Sequence, residues 1–239
     1  TLAEACREAN AADVEAHYTQ AVDVLAQMQS KVTSLADSNC LAFHRSFDVP
    51  LLMWEFDHFL EYGIVARQGK PMCADDHLPI RGECERIAEL LAGQPRVFVH
   101  RDYHSRNLMV DGKRLGVIDF QDALMGPATY DLASLLRDAY VAWDEERQLD
   151  WAVRYWERAR KAGLPVGADF GAFWRDFEWM GVQRQLKVLG IFARLHHRDG
   201  KAAYLEAMPR VMRYLRAACE RYRALGPLAA LIDEIEGGA

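Results

Sequence analysis

The sequence predicts an α+β fold in which a mainly helical body carries one small β-hairpin. Apolar residues recur at helical spacing along most of the 239 residues. The pair Asp111-Gly112 stands between two short apolar runs, which is a strong short-range indication of a hairpin. Polar side chains suited to catalysis flank this hairpin. Because the chain has no internal repeat and no clear linker, we predict one body over residues 1–239.

Helices and one strand are predicted before the hairpin. Apolar residues from Val14 to Leu35 recur at spacings of four and three, which predicts a long helix that Asn10 or Asp13 would cap. Residues 51–67, rich in aromatic side chains, and residues 83–91 predict two more helices. Residues 96–99 predict a short strand that leads into a polar run.

The hairpin and the helical second half follow. The hairpin strands are predicted over residues 108–110 and 115–118, and an irregular loop over residues 121–129, where Gly126-Pro127 disfavours regular structure. Beyond this loop the pattern is helical over residues 130–141, 145–162, 170–195, 201–223 and 228–236.

Composition excludes several classes of protein. Apolar residues make up 51% and charged residues 27%, as in ordinary globular domains, and the net charge of −6 disfavours nucleic acid as a partner. No apolar run approaches the ~20 residues that span a bilayer, and the first residues do not resemble a signal peptide. The five cysteines are scattered without a CxxC pair, so no zinc cluster is indicated. We therefore expect a cytoplasmic protein without nucleic-acid or membrane partners.

Three side chains within eighteen residues carry the strongest functional pattern: Asp102, Asn107 and Asp119. Phosphoryl transfer from ATP needs a carboxylate that orients a hydroxyl and accepts its proton, and oxygen ligands that hold Mg²⁺. Asp102 suits the first role, and Asn107 with Asp119 suits the second. The hairpin would bring Asn107 and Asp119 together, because paired strands lie ~5 Å apart.

The neighbouring residues of the polar run have less specific roles. His100 and Arg101 precede the predicted base, and we expect them to position its loop. His104 and Arg106 flank the acceptor position as candidate substrate residues. Arg106 would steady a phosphate or a sugar oxygen. An equally good interpretation makes both of them solvated loop residues.

Further candidates lie after the hairpin. Gln121 and Asp122 follow Asp119 closely and would either touch metal or substrate or shape the loop. Asp131 opens a helix, where a carboxylate is most simply a cap or a partner of the helix dipole that also supports the catalytic loop.

A charged cluster in the predicted helix 51–67 supplies more substrate candidates. Glu55, Asp57 and His58 lie there among Trp54 and other aromatic residues that would form a sugar-facing wall. For each of them, a solvated charged face beside a buried aromatic face is the somewhat better interpretation.

The chain resembles the aminoglycoside phosphotransferase and choline kinase superfamily, relatives of protein kinases. The resemblance runs through residues 99–110, 118–123, 126–127 and 130–135. It looks most like a bacterial branch that phosphorylates the anomeric hydroxyl of N-acetylmuramate and N-acetylglucosamine in cell-wall sugar salvage. It implies a protein-kinase-like fold, ATP and Mg²⁺ as cofactors, Asp102 as catalytic base, and Asn107 and Asp119 as magnesium ligands. Met109 and Ile118 would lie against the adenine or its ribose.

One departure from that superfamily concerns the first part of such kinases. They begin with a small β lobe that carries a loop over the phosphates and a lysine that grips them. Residues before Arg96 show no glycine-rich loop and no strand-borne lysine. We therefore expect this chain to be the helical C-terminal lobe, with the N-terminal β lobe in the full-length protein. The isolated chain would turn over poorly, because the γ-phosphate would not be positioned.

Other interpretations stay open from the residues alone. Within the kinases, an aminoglycoside, choline or another hydroxyl compound is an alternative acceptor. A metal-dependent phosphohydrolase is a second possibility, because a two-metal cluster needs His and Asp ligands, which the chain offers in His100, Asp102, His104, Asp119 and Asp122. A non-catalytic, truncated kinase-like module is the third.

Overall fold

The computed structural model describes residues 1–35, 39–66, 74–112 and 114–237, with the backbone alone at 65–66, 74–77 and 235–237. The chain divides into two compact units: Thr1–Phe47 with Gln94–Phe177, and Asp48–Gly93 with Glu178–Ala239. Both are mainly helical, and the strands form small antiparallel sheets. The predicted α+β class is therefore confirmed. That residues 1–239 form the C-terminal lobe of a kinase-like protein stays a prediction.

The first unit contains helices and the four described strands, and helices fill the second. In chain order the helices are α1 (Leu2–Glu8), α2 (Ala11–Leu35), α3 (Val49–His58), α4 (Ala74–Ala92), α5 (Thr129–Leu136), α6 (Glu145–Lys161), α7 (Phe170–His197), α8 (Met208–Arg221) and α9 (Gly226–Gly237). The strands are β1 (Arg96–Val99), β2 (Leu108–Asp111), β3 (Arg114–Val117) and β4 (Leu124–Pro127). A π-helical segment, Phe59–Ala66, follows α3, and short 3₁₀ turns lie at Leu41–His44, Ala202–Ala207 and Arg223–Leu225.

Helix α2 is the long helix that the apolar spacing predicts. Asn10 caps it, because its side-chain oxygen accepts the backbone N–H groups of Ala12 at 2.9 Å and Asp13 at 3.0 Å. Its buried face packs against α6, and Arg154 of α6 pairs with Asp23 at 2.7 Å. Helix α2 also contacts β1 and β3, so it supports a strand of each sheet.

The two sheets differ in how far apart their strands lie in sequence. The β2–β3 hairpin is the predicted one, with Leu108 opposite Val117 and Gly112 at a positive φ of 57° in its turn. Strand β4 pairs with β1, which places Val99 opposite Leu124.

The predicted irregular loop over residues 121–129 is therefore wrong at residues 124–127. Three of the four β4 residues are buried and one is half-buried, so the strand has no alternating pattern, and its partner lies far away in sequence. Its last residue, Pro127, comes directly before the turn that opens α5, so β4 fixes where this helix begins.

The second unit is built on α3, α4 and the C-terminal half of α7. Asp48 caps α3 by accepting the N–H of Leu51 at 2.9 Å. Helix α4 is longer than the predicted 83–91, because the helix continues on the N-terminal side of Pro79. Residue 67, the predicted end of the helix that begins near residue 51, lies outside the described residues.

Two findings concern cysteines and membranes. The described cysteines Cys6, Cys40, Cys84 and Cys219 are free thiols, whereas Cys73 lies outside the described residues. Burial raises the pKa of Cys84 to about 12, because a thiolate would lose its hydration there. Within the described part of the chain, none of the helices has the length and apolarity needed to cross a membrane.

Replacing Gly190 tests the close packing of α7 on α3. A Cβ at Gly190 would lie 2.5 Å from the backbone carbon of His58 and 2.5 Å from the backbone nitrogen of Phe59, a distance that forces the helices apart. We expect Gly190→Ala to lower the free energy of unfolding by about 1–3 kcal/mol in urea denaturation followed by circular dichroism.

The matched control is Gly82→Ala on α4, where an added Cβ meets nothing within 4 Å. Alanine there should stabilise the helix by about 1 kcal/mol. Equal shifts for the two variants would contradict the proposed helix contact.

Candidate active site

A buried carboxylate on α5 holds the backbone just before the predicted base. Asp131 accepts the N–H of His100 at 2.8 Å and the N–H of Arg101 at 3.0 Å, and its side chain is 0% exposed. Arg101 has a positive φ of 77°, an uncommon conformation for a side chain with a Cβ, which these two hydrogen bonds help to hold. Asp131 lies in the first turn of α5, as a dipole partner would, but Ala128 occupies the cap position. Of the two predicted roles, the side-chain cap is not formed, because this carboxylate bonds to the loop, whereas its place in the first turn fits a dipole partner that supports the catalytic loop.

A second buried carboxylate, Asp138, holds the turn that follows the predicted base. It is 2% exposed and accepts both the N–H and the hydroxyl of Ser105, and also the N–H of Tyr140 at 2.9 Å. Asp138 is not among the site residues predicted from the sequence. A carboxylate that directly follows an arginine resembles a surface pair in sequence, and only the fold reveals that it is buried.

The Asn107 side chain joins the predicted base loop to the predicted metal carboxylate. Its amide N–H₂ group donates to the backbone oxygen of Asp102 at 3.1 Å and to a carboxylate oxygen of Asp119 at 3.3 Å. Next to this link, the N–H of Ile118 donates to the backbone oxygen of Asn107 at 3.1 Å and closes the hairpin. Asp102, Asn107 and Asp119 thus belong to one hydrogen-bonded network.

Asp119 is presented to solvent by a strained backbone. It has a positive φ of 69° and an exposed side chain, whose second oxygen accepts the amide of Gln121 at 2.7 Å. Aspartate tolerates this conformation better than most residues. Asp122, one residue beyond Gln121, lies 3.8 Å from the guanidinium of Arg45.

The chemistry of these side chains fits Mg²⁺. The donation by the Asn107 nitrogen leaves its carbonyl oxygen as a neutral ligand, and Asp119 supplies a charged oxygen; hard oxygen donors of this kind suit Mg²⁺. Among the described residues, no three His, Cys, Asp or Glu side chains are grouped so that they could hold a metal ion. The two-metal cluster of the hydrolase hypothesis therefore has no support in the described part of the chain.

His100 supports the base loop as a neutral ring. It is 0% exposed, and burial lowers its pKa below the usual value because a charged imidazolium would lose its hydration, although the nearby Asp102 carboxylate opposes this shift. Its Nδ1 atom accepts the N–H of Asp102 at 3.3 Å. The ring thus orients the backbone of the predicted base.

Two basic side chains of the same loop contact one tyrosine. The guanidinium carbon of Arg106 lies 3.7 Å from the centre of the Tyr140 ring, and the His104 ring meets the same tyrosine edge-on at 5.5 Å. Arg106 is exposed, whereas His104 is half-buried.

One face of the hairpin is apolar and open to solvent. Met109 is 40% exposed and Ile118 is 45% exposed. Met109 pairs directly with Gly116, and Ile118 follows two residues later, so the alternation of strand side chains puts all three on one face. Because Gly116 has no side chain, the face between Met109 and Ile118 is flat, and a flat face suits the packing of a planar ring. Phe120, 66% exposed beside Asp119, is a further large apolar group, and it is not among the predicted site residues.

The substrate candidates of α3 lie in the second unit. Glu55 is buried and its carboxylate meets Lys187 at 2.9 Å and the amide of Gln183 at 2.8 Å, which favours a role in the scaffold. Asp57 pairs with Arg81 at 2.7 Å, and His58 Nδ1 lies 3.0 Å from the backbone oxygen of Trp54. Their contact with substrate stays a prediction.

Comparison with known proteins identifies relatives of this chain. The model of a phosphotransferase enzyme family matches residues 2–170. A protein of Neisseria meningitidis named N-acetylmuramate/N-acetylglucosamine kinase is 48% identical over 80% of this chain. Relatives of the same name from Pseudomonas putida and Pseudomonas aeruginosa are 43% and 42% identical, each over 81% of this chain. The chain spans 57% of the length of each of these relatives. The resemblance inferred from the motifs is thereby confirmed.

Removing the charge of Asp131 tests its support of the base loop. Asparagine keeps the shape but turns an N–H₂ group toward one of the two loop N–H groups, which loses one charged hydrogen bond and weakens the other. We expect Asp131→Asn to lower the free energy of unfolding by roughly 1.5–3 kcal/mol in urea denaturation. The control Asp111→Asn, at an exposed carboxylate of β2, should change it by less than about 0.5 kcal/mol. Indistinguishable unfolding curves for the two variants would refute the support role.

Proposed function

The chain belongs to the phosphotransferase enzyme family, and from that premise we propose that it catalyses transfer of the γ-phosphate of ATP to a hydroxyl of a small molecule. The favoured acceptor is the anomeric hydroxyl of an amino sugar, N-acetylmuramate or N-acetylglucosamine, in cell-wall sugar salvage. Three relatives that are 42–48% identical carry the name of a kinase for these two sugars, and this supports the acceptor.

The observation that carries the proposal is the Asn107 side chain, which bonds to both the Asp102 loop and Asp119. Phosphoryl transfer depends on positioning and charge stabilisation more than on covalent chemistry. A single amide that fixes the spacing between a proton acceptor and a metal carboxylate meets that need. Among the described residues, no three His, Cys, Asp or Glu side chains are grouped as a metal site for hydrolysis would require.

Asp102 is the proposed catalytic base. Its backbone is held at both sides, by His100 at its own N–H and by the His104 N–H, which donates to its oxygen at 2.9 Å. The side chain is half-buried and so remains open to a substrate. It orients the acceptor hydroxyl and takes its proton as the bond to phosphorus forms.

Asn107 and Asp119 are the proposed ligands of Mg²⁺, through the amide oxygen and the carboxylate respectively. When bound, the ion neutralises negative charge on the phosphates. Gln121 would keep the Asp119 carboxylate oriented through its 2.7 Å hydrogen bond.

Met109 and Ile118 are the proposed contacts of ATP. Their flat apolar face, with Gly116 between them, suits the adenine ring or its ribose. His104, Arg106 and Asp122 are proposed to contact substrate from the loops of the first unit. A cytoplasmic location, an N-terminal lobe in the full-length protein and weak activity of the isolated chain stay predictions.

Removing the base is the primary test. We expect Asp102→Ala to lower kcat about 100-fold or more, because general-base assistance contributes a factor of this order. ADP release by the full-length gene product would be followed with N-acetylmuramate, N-acetylglucosamine, an aminoglycoside and choline, and the products identified by phosphorus NMR.

The control for this test is Asp111→Ala, which removes an exposed carboxylate from the hairpin and should keep the wild-type rate. A full rate in Asp102→Ala would refute the assigned base. Phosphorylation of an aminoglycoside or choline alone would refute the amino-sugar acceptor.

The nucleotide surface is tested by filling the flat face. A Cβ at Gly116 has its nearest neighbour at 3.9 Å, so the fold accepts a larger residue. We expect Gly116→Val to raise the KM for ATP about 10-fold, because a branched side chain would occupy the place of the adenine ring. The unfolding midpoint of Gly116→Val should remain within the wild-type range. The KM for ATP of Gly116→Ala should lie between those of the wild type and Gly116→Val. An unchanged KM for ATP would place the adenine elsewhere.

A further inference from the structure

Arg106 is an exposed cation with a fixed position. The chain turns tightly at this point, because the N–H of Asn107 donates to the backbone oxygen of His104 at 2.9 Å, and Arg106 lies inside that turn. Its guanidinium lies over the ring of Tyr140, an arrangement that leaves N–H donors available to other partners. No carboxylate of the described residues forms an ion pair with it.

The buried Asp138 carboxylate keeps this arrangement rigid. It binds Ser105, the residue before Arg106, and the backbone of Tyr140, the residue under the guanidinium. Both halves of the stacked pair are therefore attached to one buried group. An arginine that is ordered before binding loses less conformational entropy when a ligand arrives, which raises its affinity for that ligand.

The negative charge of the site explains what a cation at this position could do. Asp102 and Asp119 are joined through Asn107, the next residue after Arg106. An anionic acceptor that approaches these two carboxylates is repelled, whereas a neutral acceptor is not. N-acetylmuramate carries a carboxylate on its lactyl ether, and N-acetylglucosamine lacks it. Arginine binds carboxylates through two parallel hydrogen bonds, which lysine cannot reproduce.

We propose that Arg106, held over Tyr140, binds the lactyl carboxylate of N-acetylmuramate and so determines how well the acidic sugar is used relative to the neutral one. This rests on the proposed function and adds a specificity residue to it. N-acetylglucosamine would use the same catalytic groups without contacting Arg106. The two acceptors therefore form an internal comparison in which only one of them should respond to changes at Arg106.

The test measures kcat/KM of the full-length gene product for three acceptors: N-acetylmuramate, its methyl ester and N-acetylglucosamine. We expect Arg106→Met to lower kcat/KM for N-acetylmuramate about 10- to 100-fold, chiefly through KM, since a charge-assisted pair is lost. The kcat/KM for the neutral ester and for N-acetylglucosamine should change by less than about 3-fold, because these acceptors lose at most an uncharged contact. For N-acetylmuramate only, the kcat/KM of Arg106→Lys should lie between those of the wild type and Arg106→Met.

The control variant is Arg114→Met, which removes one exposed positive charge from β3 and should leave all three acceptors unchanged. An equal loss for all acceptors in Arg106→Met would mean that Arg106 serves the phosphates or the fold, and would overturn the proposal. No loss for the acid would overturn it too. A wild-type protein that phosphorylates neither sugar would refute the proposed function itself, and the role of Arg106 with it.

Discussion

The site depends on the hydrogen bonds that the buried Asp131 carboxylate accepts from the backbone of the base loop. A carboxylate without solvent contact is costly unless its charge is satisfied, and here two backbone N–H groups, from His100 and Arg101, satisfy it. The same bonds hold Arg101 in its positive-φ conformation and fix the direction in which the chain enters Asp102. Because Asp131 is part of α5, the loop inherits the rigidity of the helical scaffold.

A second anchor and a bridge extend this support to the remaining groups. Asp138 binds the turn after the base, through Ser105, and Asn107 links that turn to Asp119 at the end of the hairpin. Each contact joins segments that would otherwise move independently. Catalysis by positioning requires that the reacting groups keep their spacing, since small displacements cost large factors in rate. A site built from short loops achieves this only through such buried polar anchors.

The same anchors connect the proposed chemistry to the proposed specificity. Asp138 orders both the turn that carries Arg106 and the ring of Tyr140 beneath it, so a group that supports the loop also fixes an exposed cation. In a site with two carboxylates, such a cation offsets the repulsion of an acidic acceptor. Catalytic geometry and acceptor preference would then share one physical cause.

The sequence by itself determined the elements whose causes are local. The period of α2 and the Asp-Gly turn of the β2–β3 hairpin are short-range patterns, and so is the spacing that brings Asn107 to Asp119 across that hairpin. Only the tertiary structure decided that residues 124–127 form a strand, because their partner β1 lies far away in sequence. It alone decided that Asp138 is buried, that Glu55 pairs with Lys187 and that Arg106 lies over a ring. Burial and long-range pairing follow from how distant segments pack, and no local pattern records them.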